Sequence, residues 1–134
     1  MRGGNPSAIL LDTHAFLWSI NQPEKLSRLA RRLLEDPAVT IHLSVASVWE
    51  MSLKTGKGKL DAPDGVVDSQ VAALGIVSLP IRLSHIRALS RLKSARDHKD
   101  PFDRLIAAQA ITENLPLVTS DGAFALYAPL KTIW

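Results

Sequence analysis

Four short apolar runs, Ala8-Ile9-Leu10-Leu11, Thr40-Ile41-His42-Leu43, Ile76-Val77-Ser78-Leu79 and Leu117-Val118-Thr119, are spaced along the chain with helix-period segments between them. Runs of this length suit strands buried on both faces, the usual state of a parallel sheet. Parallel neighbours need long crossovers, and helices supply them. The expected fold is α/β with three layers: a mostly parallel central sheet of four to five short strands, flanked by helices. Lys131-Thr132-Ile133-Trp134 is the candidate fifth strand, at an edge.

The helix signals agree with that order. Over residues 25 to 36, Leu26, Leu29, Ala30, Leu33 and Leu34 recur at helical spacing, with Arg28, Arg31 and Arg32 opposite. Ser44 is placed to cap a helix running through Leu53, and Gly75 to close one that begins after Pro63-Asp64-Gly65. Leu83, Ile86, Leu89 and Leu92 mark a helix over 83 to 93. Asp100 followed by Pro101 opens another, which Asn114 and Pro116 stop.

A chain of 134 residues, 46% hydrophobic and 22% charged, is expected to form one domain with its own core. Residues 8–134 form that domain, and residues 1–7 read as an N-terminal extension or tail. No cysteine is present, which fits a reducing compartment. The apolar runs are far shorter than the roughly 20 residues of a membrane span, and Met1 to Ser7 holds no apolar signal region. A soluble, cytoplasmic protein with no membrane partner is therefore expected. The net charge of +3 leans mildly toward a polyanionic partner.

Acids at element ends carry the chemical signal. Asp12 and Asp121 each follow an apolar run, Glu50 lies in the helix after another, and Asp103 lies in the first turn of the helix begun by Asp100. In an open parallel sheet, groups at the carboxyl ends of strands meet in one crevice. Four carboxylates gathered there repel, so protons or a cation must be taken up. Oxygen donors without cysteine or paired histidine suit Mg2+ or Mn2+. Each acid also has a plain structural account. Asp100 and Asp103 resemble a capping arrangement, Glu50 and Lys54 stand at i and i+4 as a surface ion pair, and Asp121-Gly122 is a turn pair. Asp12 is hardest to explain that way, because a carboxylate directly after a buried strand is costly without a partner.

Other chemistries fit less well. His14, His42, His85 and His98 lack zinc-ligand spacing. Around Gly56-Lys57-Gly58-Lys59, Leu53 stands where a phosphate loop requires its first glycine and Leu60 where it requires Ser or Thr. Ser44 and Ser47 show no base partner.

Leu10-Leu11-Asp12-Thr13-His14, then Ser47-Val48-Trp49-Glu50-Met51-Ser52-Leu53-Lys54 with Gly58-Lys59-Leu60, then His98-Lys99-Asp100-Pro101-Phe102-Asp103-Arg104, then Val118-Thr119-Ser120-Asp121 together resemble PIN-domain proteins. More narrowly, they resemble the VapC-type toxins of toxin–antitoxin pairs. The resemblance implies a PIN-like fold and a Mg2+- or Mn2+-dependent endoribonuclease that hydrolyses RNA with a metal-activated water. Asp12, Glu50, Asp103 and Asp121 match the acidic quartet, with Asp12 and Asp103 as direct metal ligands and Glu50 and Asp121 binding directly or through water. Thr119 matches a hydroxyl position beside the last acid. A homodimer and a cognate antitoxin partner are implied too, with DNA met only indirectly through the antitoxin.

Lys54, Lys59 and Arg104, with Lys57 and Lys99, flank the presumed acids and are candidate phosphate contacts. Arg104 has a further option, pairing with a neighbouring carboxylate. Aromatic content of 5% argues against a broad base-stacking platform, so recognition of RNA shape and a short exposed sequence is expected. Two alternatives stay open: a PIN-like partner-binding module with little turnover, and a metal-dependent nuclease acting on DNA.

Overall fold

A computed structural model of the protein describes residues 4–56, 65–92 and 100–134. Lys57, Lys59, His98, Lys99 and the Pro63-Asp64 helix start lie outside those residues.

Five parallel strands form one sheet in the order β3-β2-β1-β4-β5. They are β1 (Ala8–Leu11), β2 (Thr40–Ser44), β3 (Val77–Leu79), β4 (Leu117–Val118) and β5 (Thr132–Ile133). Between them run α1 (Thr13–Asn21), α2 (Arg28–Glu35), α3 (Val45–Gly56), α4 (Val66–Leu74), α5 (Leu83–Arg91) and α6 (Pro101–Glu113). The expected three-layer α/β fold is found, and the sheet is parallel throughout.

Alternation along β1 divides the core. Ile9 and Leu11 join Phe16, Leu33, Ile41 and Leu43 in a cluster that also receives α1, α2 and the half-buried Val67 and Val71 of α4. Leu10 points the other way, into a cluster with Leu79, Ile106, Leu117, Phe124 and Tyr127. Burying one such side chain fully contributes about 1.5–3 kcal/mol, so both faces of the short strands hold the layers together. Residues before β1 are also tied down. Thr40 N–H donates to the Ser7 carbonyl at 2.9 Å, and Asn5 Nδ2 donates to Asp36 Oδ2 at 2.8 Å.

Local chemistry sets the helix starts. Asp100 caps α6 by accepting from the Phe102 and Asp103 N–H groups, Pro101 takes the first position, and Asn114 ends the helix at φ 54°. Ser44 Oγ accepts from Ala46 N–H at 2.9 Å, as the sequence suggests for α3. The helix expected over 25–36 is shorter. A 3-10 turn spans Pro23–Lys25, and α2 starts only after Ser27, whose hydroxyl accepts from Ala30 N–H at 3.0 Å. Among the described residues no helix is long and apolar enough to cross a membrane.

The chain leaves β1 toward β2 and β3, then returns to place β4 on the other side of β1. The order therefore reverses between β1 and β4, where open α/β sheets leave a crevice at the strands' carboxyl ends.

Candidate active site

Asp12 stands at the carboxyl end of β1 and caps α1, with Oδ1 accepting from Ala15 N–H at 2.6 Å. It is only 5% exposed. Across the reversal point, Thr119 follows β4 and its hydroxyl donates to Asp12 Oδ2 at 2.5 Å. The same oxygen accepts from Asp121 N–H at 3.0 Å, so Thr119 ties one acid to the backbone of the next. Asp121 itself is exposed and caps the 3-10 turn Gly122–Leu126 through Ala123 N–H. Burial pushes the Asp12 carboxyl above the ordinary carboxylate range; the Thr119 and Ala15 hydrogen bonds and His14 pull against it, and the Asp121 charge adds to the rise.

Glu50 lies on α3 and is 2% exposed. The hydroxyl of Thr13, the residue after Asp12, donates to Glu50 Oε1 at 2.7 Å and lies 2.9 Å from Ser47 Oγ. Lys54 Nζ donates to Glu50 Oε2 at 2.7 Å. The ion pair expected at the surface is thus buried at its acidic end. The Lys54 ammonium is held above its usual range, first by that hydrogen bond and also by the charges of Glu50, Asp100 and Asp103, with burial opposing them. Asp103, in the first turn of α6, and Asp100, its N-cap, thus both act on Lys54 through their charge. The start of α6 is seated against α3 by Phe102, whose ring meets Trp49 edge-on at 4.9 Å.

Hydrogen bonds thus tie Asp12 through Thr119 to the backbone of Asp121, and Thr13, next to Asp12, to Glu50, while Asp103 bears on this group through its charge at Lys54. A PIN domain profile matches residues 9–129. The chain belongs to the PIN-domain family, a family of nucleases. Solved PIN relatives agree in fold: VapBC2 from Rickettsia felis bound to a promoter DNA fragment (20% identity, 94% of this chain and 97% of that one, TM-score 0.72). FitAcB from Neisseria gonorrhoeae is similar at 23% identity, 94% and 96% coverage and TM-score 0.64. VapBC-5 from Mycobacterium tuberculosis is similar at 23% identity, 96% and 97% coverage and TM-score 0.57. No curated protein matches the sequence.

In this PIN domain, no group of three or more His, Cys, Asp or Glu among the described residues is gathered tightly enough to cage a metal ion unaided. The donor chemistry nevertheless fits a hard divalent cation. Asp12 and Glu50 are buried carboxylates, and a lysine ammonium already occupies the cationic place beside Glu50. Mg2+ is commonly held by one or two carboxylates and keeps several waters, so these acids suit it without a closed cage.

Of the candidate cations, Lys54 lies at the acids, whereas Lys59 falls outside the described residues. Arg104 also meets Tyr127: its guanidinium lies 5.5 Å from the ring centre and Nη1 donates to the Tyr127 hydroxyl at 3.2 Å. The sequence assigned Thr13 no role of its own: its hydroxyl meets Glu50 across 37 positions and Ser47 across 34, and only its place directly after Asp12 hinted at this.

Proposed function

We propose that this PIN domain is a metal-dependent endoribonuclease toxin of the VapC type, with Asp12, Glu50, Asp103 and Asp121 as its catalytic and metal-holding carboxylates. The observation that carries this reading is the run of contacts from the Asp121 backbone through Thr119, Asp12 and Thr13 to Glu50, in which the Asp12 and Glu50 carboxylates are buried. Buried acids of this kind are costly to a fold and are repaid by a cation. Mg2+ or Mn2+ bound there supplies a water of lowered pKa and neutralises charge on the scissile phosphate.

The chain's own residues do the positioning. Thr119 holds Asp12 through Oδ2 while the α1 N-terminus holds Oδ1, which fixes the carboxylate plane. Thr13 and Lys54 hold the two oxygens of Glu50. Lys54, Arg104 and Lys59 are the candidate phosphate contacts, and of these Lys54 is supported by its ion pair with Glu50. Such contacts give affinity without sequence choice.

Among the similar solved structures, one is described as a toxin–antitoxin complex and another as a member of the VapBC family of toxin–antitoxin systems, and two others are bound to DNA fragments. By likeness, this protein is held inactive by a small antitoxin and meets DNA only through it, in the cytoplasm. A homodimer is supported by apolar side chains left in water: Val45, Val48, Trp49 and Leu53 follow one face of α3, and Leu83 and Ile86 lie on α5.

The test is cleavage of RNA and DNA of one sequence under Mg2+, Mn2+ or chelator. RNA cut only with metal supports the reading. DNA cut equally well assigns a DNA nuclease, and no cutting of either by folded, antitoxin-free protein favours a partner-binding module.

A further inference from the structure

Rings that are far apart in the sequence form a strip leading away from Asp12. His14, exposed on the first turn of α1, lies 6.1 Å from the Trp18 ring. Trp18 meets Trp134, after β5, edge-on at 5.8 Å. Trp134 remains 37% exposed, while Trp18 is half-buried, with part of its ring against the core.

Cations border the strip. Lys25 Nζ stands 5.6 Å over the Trp18 ring. Further along the chain, the exposed Arg28, Arg31 and Arg32 of α2 line a shallow depression with Leu26 and one acid, Glu35. The ion pairs among the described residues engage none of these four cations.

We propose that His14, Trp18 and Trp134 form a base-stacking strip for single-stranded RNA flanking the scissile phosphate, with Lys25 and the α2 arginines as its phosphate contacts. This rests on the nuclease reading of the acids. Stacking on aromatic faces tolerates any base, and a groove that combines rings with unpaired cations is how single strands are gripped. Over Trp18, an exposed cation–π contact is weaker than a base stack, so an incoming base displaces Lys25 and leaves its ammonium for the phosphate. The strip begins beside Asp12, so the nucleotides it holds are those adjoining the cut. Charge complementarity favours RNA over an apolar protein segment, which has no use for four unpaired cations.

The test is titration of the folded, antitoxin-free protein with an unstructured oligouridylate in chelator at low salt, following tryptophan fluorescence. The expected result is quenching in wild type and about ten-fold weaker binding in Trp18→Leu and Trp134→Leu. Trp18→Phe, which keeps a ring, should bind nearly as wild type. Replacing the three arginines by glutamine should flatten the salt dependence of binding. Wild-type affinity in both leucine variants, with circular dichroism unchanged, would overturn the strip, as would leucine variants that lose only a copurifying protein partner. Quenching without metal-dependent cleavage supports the strip and refutes the nuclease, whereas cleavage without quenching does the reverse.

Discussion

Thr119 and Asp12, 107 residues apart, share a hydrogen bond of 2.5 Å in which the hydroxyl donates to the carboxylate. That contact bridges β4 and β1 where the strand order reverses. Replacing Thr119 by valine keeps the shape and removes the donor, leaving a buried acceptor short of one partner. A loss of about 1–3 kcal/mol in urea unfolding is expected, together with weaker cleavage. Thr119→Ser should recover most of both.

Asp12 should cost the metal-free fold stability at neutral pH. Its folded-state pKa is raised by burial, so the stability tied to its protonated form is present below the unfolded-state value and lost as pH rises through the folded one. Asp12→Asn keeps a side chain able to cap α1 and carries no charge to desolvate. Thermal unfolding in chelator should show the variant more stable than wild type, by a margin that widens from acid to neutral pH. A constant margin would contradict the burial of a charged Asp12.

Lys54 occupies the cationic place beside Glu50. Lys54→Met leaves a buried carboxylate with Thr13 as its remaining hydrogen-bond donor, and a loss of about 1–3 kcal/mol is expected. Mn2+ should then raise the melting temperature more in the variant than in wild type, because an ion that binds only the folded state stabilises it. Equal shifts in the two proteins would separate Lys54 from the metal site.

How much of this was legible in the sequence follows from what each signal measures. The run Ala8 to Leu11 became β1 at its expected bounds, and Asp100-Pro101 with Asn114 bounded α6, since apolar runs and caps act through nearest neighbours. The start of α2 was misplaced because the Ser27 hydroxyl, not the apolar period, decides where that helix begins. The acids were found one by one from their places after strands and at helix starts. The hydrogen bonds that hold Asp12 and Glu50 were not, since they depend on Thr119 and Thr13 side chains meeting them from other elements.

His85 has a structural part to play, away from the acids. Fully buried, it accepts from Arg82 N–H at Nδ1 (3.0 Å), while Nε2 lies 2.8 Å from Glu113 Oε2, tying α5 to α6. His85→Leu should cost about 1–3 kcal/mol in urea unfolding while leaving cleavage by the folded fraction unchanged. A fall in the turnover of folded protein would move His85 into the catalytic machinery.

The most direct measurement of the central claim is cleavage of a mixed pool of structured RNAs by wild type, Asp12→Asn and Asp103→Asn, each with Mn2+, Mg2+ or chelator. The proposed carboxylates predict metal-dependent cuts by wild type alone, with both variants remaining folded. Undiminished cutting by either folded variant would contradict the assignment of these acids.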